Sequence, residues 1–165
     1  MLIGFLHEPK GQGYEWLGTS REYSTKQNFE EQETTILYID LDNFKYCNDT
    51  FGHDIGDLML KKLSSLFTEI VGDKGYCVRY GGDEFIIVLP GSSTEFGIKI
   101  SKQIYKKIEE NGYFINDIAN ALKRPIEIDA QHRISCSIGI STSQKYNQES
   151  IMECLKHADS ALYDI

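Results

Sequence analysis

Four carboxylates fall at two places in this chain where they can act together. Asp40-Leu41-Asp42 ends a β-branched and aromatic run, Thr34–Ile39, while Asp83-Glu84 directly follows the pair Gly81-Gly82. Alternation along a strand puts Asp40 and Asp42 on one side and Leu41 on the other. The glycine pair joins two short strand-like runs, Tyr76–Tyr80 and Phe85–Leu89. That arrangement reads as a β-hairpin tip, because paired glycines tolerate the positive φ that tight hairpin turns need. Neighbouring strands of one sheet bring the two acidic ends together. Carboxylates gathered in this way repel one another unless a cation neutralises them. Oxygen-only ligands favour Mg2+ or Mn2+, and Mg2+ typically shares one or two carboxylates with substrate phosphates. Two such ions can activate a hydroxyl nucleophile and stabilise a departing pyrophosphate in an in-line nucleotidyl transfer. Each feature also has a plainer reading: Asp42 can N-cap a helix opening at Asn43, and a hairpin tip is often acidic for solubility. Taken together, with two glycines before the second acidic pair, the pattern favours chemistry.

A second group lies between the two acidic ends: Lys45, Asn48, His53 and Asp57. Asn48 and Asp57 carry the donor and acceptor types that read a purine edge, with Asp57 accepting from a guanine N1–H and amino group. Lys45 suits a phosphate. On spacing alone the plainer readings are stronger here, with His53 a loop histidine and Asp57 a first-turn helix carboxylate favoured by the helix dipole.

These residues depend on the elements around them. Thr34–Ile39 has almost no polar interruption, which predicts a central strand buried on both faces. Asn43–Asp49 follows as one or two helical turns. Ile55–Val71 is the clearest helix, with Met59, Leu60, Leu63, Leu66, Phe67 and Ile70 on one face and Gly72 just past its end. Thr94–Asn111 predicts a further amphipathic helix stopped by Gly112, and Ile115–Leu122 a shorter one. A hairpin-like pair comes next, with Pro125–Ile128 as one arm and Arg133–Thr142 as the other. In the second arm Ile134, Cys136, Ile138 and Ile140 alternate with small or polar residues, the pattern of a half-buried strand. Asn147 can cap a last helix, Gln148–Tyr163. Residues 1–33 are a poorly defined lead-in segment, in which Ser20–Gln32 is polar and can form a helix contacting the fold through Tyr23 and Phe29. The order of elements implies an α+β domain over residues 34–165, a mixed central sheet with helices packed on it.

The whole chain sets further bounds. Its 165 residues suit one domain with a sizeable core, and 41% hydrophobic with 25% charged residues is ordinary for a soluble globular fold. A net charge of −8 argues against nucleic acid or an anionic membrane as main partner, yet leaves room for one nucleotide whose phosphates a divalent cation offsets. Met1–Leu6 is too short for a signal peptide or a membrane span. Cys47, Cys77, Cys136 and Cys154 are scattered without CxxC spacing and read as small core residues in a reducing compartment, so a cytoplasmic location is expected.

At the level of motifs, the chain resembles the GGDEF domain of diguanylate cyclases. The resemblance rests on Arg79-Tyr80-Gly81-Gly82-Asp83-Glu84-Phe85, on Asp40-Leu41-Asp42-Asn43-Phe44-Lys45, and on Asn48-Asp49, Gly52-His53 and Gly56-Asp57. Ser137-Ile138-Gly139-Ile140 and Ala158-Asp159 with Ala161-Leu162-Tyr163 match later segments, so it runs from about Ile36 to Tyr163. It implies a palm-like, ferredoxin-like fold related to class III nucleotide cyclases. It also implies that each domain holds one GTP and that two domains face each other to make cyclic di-GMP and pyrophosphate. By the family pattern Asp40, the Leu41 carbonyl, Asp83 and Glu84 hold Mg2+ or Mn2+, and Asp83 deprotonates the attacking 3′-hydroxyl. Gly81 and Gly82 let the backbone approach the nucleotide, Asn48 and Asp57 read guanine, and Lys45 and His53 line the substrate pocket.

The chain departs from that pattern in places. The family's lead-in Asp-x-Leu-Thr-Gly-Leu-x-Asn-Arg survives only as an echo, Trp16-Leu17-Gly18-Thr19-Ser20-Arg21. The Arg-x-x-Asp of the family's product-inhibition site is replaced by Gly72 and Gly75, so feedback through that site is not expected. The family's phosphate-binding Lys falls just beyond Ile165, which implies a truncated C-terminal end, and a sensory or dimerising segment is expected in a longer chain. Beside the cyclase stands an alternative: a catalytically weak GTP-binding module that regulates a neighbouring domain such as a phosphodiesterase.

Overall fold

The computed structural model of the chain describes residues 15–16, 32–110, 113–143 and 151–162. All of the expected helix over Ser20–Gln32 except its last residue, the stop at Gly112 and the cap at Asn147 lie outside them. Among the described residues, β1 Glu15–Trp16, β2 Thr34–Asp42, β3 Tyr76–Arg79, β4 Glu84–Pro90 and β5 Ser135–Ser143 form one sheet in the order β1-β3-β4-β2-β5. The helices are α1 Phe44–Phe51, α2 His53–Val71, α3 Thr94–Glu109, α4 Ile115–Leu122 and α5 Ile151–Ser160.

The α+β expectation holds, but every strand pairing among the described residues is antiparallel, so the sheet is not mixed. The helices leave the sheet and return so that each neighbouring strand runs the opposite way. The expected arm Pro125–Ile128 is also not a strand. A proline cannot donate to a ladder, and the segment instead lays Ile126 and Ile128 against the core. It then closes in a 3₁₀ turn, Ala130–His132, capped by the Asp129 carboxylate, which accepts from the N–H groups of Gln131 and His132.

Alternation along β2 divides the core between the two faces of the sheet. Leu37, Ile39 and Leu41 join Phe85, Ile87 and Leu89 of β4 and the apolar faces of α2, α3 and α4. Ile36 and Tyr38 face the other way, with Ile86 and Val88, against Cys154, Leu155 and Ala158 of α5. All four cysteines are buried and free, as expected. Burial pushes the Cys47 thiol up to about 11 and those of Cys77 and Cys136 up to about 12, so none of these three offers a thiolate near neutral pH. No helix among the described residues is long and apolar enough to cross a membrane.

Candidate active site

β2 delivers its acidic end to the hairpin tip by register. Asp40 pairs directly with Glu84 across the antiparallel β2–β4 ladder, and with Ser137 of β5 on its other side. Cross-strand partners place their Cβ atoms about 4.5–5.5 Å apart on one face. The carboxyls at the two motifs therefore meet at one end of the sheet, on the face that Tyr38 shares.

The meeting has an electrostatic consequence. Burial, followed by the charges of Asp83, Glu84 and Asp42, raises the Asp40 carboxyl to about 6. Each neighbouring carboxylate disfavours its ionised form.

Asp42, the fourth acid at that end, has different partners. Its two oxygens accept from Ser135 Oγ at 2.5 Å and Ser137 Oγ at 3.0 Å. It does not cap α1: Asn43 occupies the N-cap in the left-handed region, φ 62°, and no side-chain cap bond forms. Asn43 Nδ2 instead donates to the Arg133 carbonyl at 2.8 Å, tying the start of α1 to the segment before β5.

The hairpin itself follows the expected strands, with Tyr80–Asp83 as its tip. The reason given for its glycines does not hold, since neither Gly81 nor Gly82 has a positive φ. A close approach bears on Gly81 instead: a Cβ there would lie 2.5 Å from Glu84 Oε2 and displace that carboxylate. Gly82 is open around its Cα, and its carbonyl accepts from Arg79 Nη2 at 2.9 Å and Nε at 3.2 Å. The N–H groups of Tyr80 and Gly81 both donate to the Glu84 carbonyl, at 2.8 and 3.3 Å, which tightens the tip.

One oxygen of the Glu84 carboxylate is held by the sheet. The Tyr38 hydroxyl donates to its Oε1 at 2.8 Å. Burial, and then this hydrogen bond, raises the Tyr38 phenol above its ordinary value, so it remains a proton donor. Sequence reasoning passed over Tyr38, which looks like one more aromatic residue in a buried strand. Its signal was its parity: two positions before Asp40, it points to the same face.

The second predicted group gathers where α1 meets α2. The link is Gly52, at φ 93°, a conformation that side-chain-bearing residues rarely adopt. Asn48 is half-buried against Gly56, where an added Cβ would come 2.0 Å from Asn48 Oδ1. Lys45, His53 and Asp57 are exposed around this junction. Leu41 turns its side chain into the large core, as its position opposite Asp40 requires. Thus Asp40, Asp83, Glu84 and the Gly81-Gly82 tip form one constellation, and Asn48 with the Gly52–Asp57 turn forms another. The chain connects them directly, since α1 begins two residues after Asp42.

The same chain pattern recurs in known proteins. The family model described as diguanylate cyclase, GGDEF domain, matches residues 18–165. A diguanylate cyclase of Vibrio cholerae is 34% identical over 132 residues, which is 80% of this chain and 36% of that protein. Diguanylate cyclase A of Treponema denticola is 32% identical over 144 residues, 86% of this chain and 35% of that one. This chain therefore spans about a third of the length of these curated relatives. Among solved structures, the active GGEEF domain of a diguanylate cyclase from Vibrio cholerae superposes with a TM-score of 0.63 at 32% identity, covering 80% of this chain and 75% of that one. With the family model matched over most of its length and the acidic ends joined in register, this chain belongs to the GGDEF domain family.

Proposed function

We propose that this domain is one half of a diguanylate cyclase. Each copy binds one GTP, and two copies facing each other condense two GTP into cyclic di-GMP and two pyrophosphates. In each half-reaction a 3′-hydroxyl loses its proton, its oxygen bonds to the α-phosphorus of the other GTP, and the bond to pyrophosphate breaks. The observation that carries this reading is the Asp40–Glu84 register pair, with Asp83 beside it and the Asp40 carboxyl raised by burial and then by their charge.

Such a corner suits a hard divalent cation, which relieves the crowding that otherwise favours protonation. Asp40, Asp83, Glu84 and the Leu41 carbonyl would hold Mg2+ or Mn2+. When bound, the ion would polarise the α-phosphate and offset the charge of the leaving pyrophosphate. Among the described residues no three of His, Cys, Asp and Glu form a ready cage for an ion. The Leu41 carbonyl and the triphosphate itself would complete the coordination.

Asp83 takes the proton of the 3′-hydroxyl. Asn48, fixed against Gly56, and Asp57 one residue further on meet the guanine edge. Lys45 and His53, both exposed, line the pocket mouth, while Gly81 and Gly82 let the nucleotide approach the tip backbone. The reading places the domain in the cytoplasm, where GTP is available. It also leaves a sensory or phosphodiesterase domain as a partner in a longer chain.

The test is turnover of GTP with Mg2+ at high protein concentration, followed as cyclic di-GMP by chromatography. Asp83→Ala is expected to abolish product while leaving the melting temperature close to that of the unaltered protein. Full activity in that variant would overturn the assignment. Metal-dependent GTP binding without turnover, even in a dimerised full-length protein, would replace the cyclase by a regulatory GTP-binding module.

A further inference from the structure

The residue that orients Glu84 lies outside every motif of the family pattern. Tyr38 is 5% exposed, and its ring lies among Ile36, Ile86 and Leu155 between the sheet and α5. A second aromatic, Tyr80 at the hairpin tip, meets that ring edge-on with centroids 5.9 Å apart. Packing therefore fixes where the phenol oxygen stands. From there it donates to Glu84 Oε1 at 2.8 Å, while Glu84 Oε2 lies over the bare backbone of Gly81, 2.5 Å from where a Cβ would be. A glutamate at a strand end has three rotatable side-chain bonds. Here one oxygen is held by a buried donor and the other fits a space that only glycine leaves.

We propose that Tyr38 is a positioning residue: it holds the Glu84 carboxylate in the orientation that meets the cation, without itself touching cation or nucleotide. The inference rests on the reading of Glu84 as a cation ligand. A ligand carboxylate that must first be found among several rotamers binds more weakly than one already held, and removing such a supporting hydrogen bond typically lowers metal affinity by about 10–100-fold. Tyr38 also reaches α5 through the same ring, so the cation site is braced by the helix on the far side of the sheet from α2 and α3.

The experiment measures Mn2+ binding by electron paramagnetic resonance in the full chain. A GTP analogue with a methylene group between its α- and β-phosphates is present, so that no turnover occurs. Tyr38→Phe keeps the ring and removes only the donor, and its thermal melt is expected to match that of the parent protein. Its Mn2+ affinity is expected to fall about tenfold. Glu84→Gln is expected to fall at least as far, and the double variant no further than Glu84→Gln alone, because Tyr38 acts through Glu84. A merely structural hydroxyl would move the melt and leave Mn2+ binding alone. If Glu84→Gln weakens Mn2+ while Tyr38→Phe stays within about twofold of the parent, or if the two losses add, the positioning role is overturned and the reading of Glu84 stands. If Glu84→Gln leaves Mn2+ binding intact, the reading of Glu84 falls and the role of Tyr38 falls with it.

Discussion

A carboxyl crowded by others in a half-dry corner can lower its cost by taking up a proton or by sharing a cation. Asp40 shows the first route in the free protein, its carboxyl raised from 3.8 to about 6 by burial and then by Asp83, Glu84 and Asp42. The sign of the effect on stability follows. Below about pH 4 Asp40 is neutral whether folded or unfolded, and no penalty exists; above about pH 6 the folded chain carries a charge that the unfolded chain bears more easily. Asp40→Asn is therefore expected to be more stable than the parent at pH 7–8 without metal, by about 1 kcal/mol once solvent screening is allowed for. That advantage should close as the pH falls from 6 toward 4. Melting curves of both proteins across that range check it, and an advantage that persists at pH 4 would assign the effect to something other than this charge. Neighbouring acids need not share partners. Asp42 lies two residues on, yet both its oxygens accept from serines of β5. The sequence shows Asp40 and Asp42 as equals on one face. What separates them comes from Ser135 and Ser137, more than ninety residues downstream, where no local pattern links them to β2.

Periodicity made most of the elements visible, and small residues explain where it misled. β5 reads as half-buried because Ser135, Ser137, Gly139 and Ser141 alternate with larger apolar residues. In the fold both of its faces are covered, by α3 on one side and α5 on the other. Gly139, which looks like part of a solvent face, is buried and pairs with Tyr38. A Cβ at Gly139 would stand 1.9 Å from the Ala158 carbonyl oxygen, so the backbone of α5 rests on the strand itself. The small residue there marks a close helix, a distinction invisible in hydropathy. Gly139→Ala must push α5 outward, and because the obstacle is backbone no rotamer change can absorb it. The expected cost is about 1–3 kcal/mol, as for other overpacked cores, measured by urea denaturation. A variant as stable as the parent would mean that α5 is free to slide. The α1–α2 junction was less legible than β5. Its spacing favoured an ordinary loop histidine and an ordinary first-turn helix carboxylate, and only the family resemblance tipped His53 and Asp57 toward a role. The contact of Asn48 with Gly56 is what now ties that turn to a defined geometry.

At the scale of the whole molecule the proposed chemistry is incomplete in one copy. One domain offers one acidic corner and one turn proposed to read guanine, whereas the proposed reaction joins two nucleotides through two bonds. The charge of the chain adds a constraint. A net charge of −8 on 165 residues sets two copies against each other at long range, and the repulsion weakens as salt shortens the screening length. A second copy must therefore be brought up by mass action, or by a segment of a longer chain that holds two domains together. This makes concentration the variable to watch. Well below the dimer dissociation constant, the active fraction is proportional to total protein. Cyclic di-GMP formed per unit protein should then fall about tenfold on tenfold dilution. Fusing the domain to a dimeric coiled coil should remove that dependence, because the second copy is then always present at high effective concentration. Moderate salt should raise the rate of the unfused domain and leave the fused one nearly unchanged, since only the former must overcome the long-range repulsion. A rate per unit protein that stays constant on dilution, in a protein that light scattering shows to be monomeric throughout, would mean that one copy completes the reaction. The two-half arrangement would then be wrong, even if the acidic corner is correctly assigned.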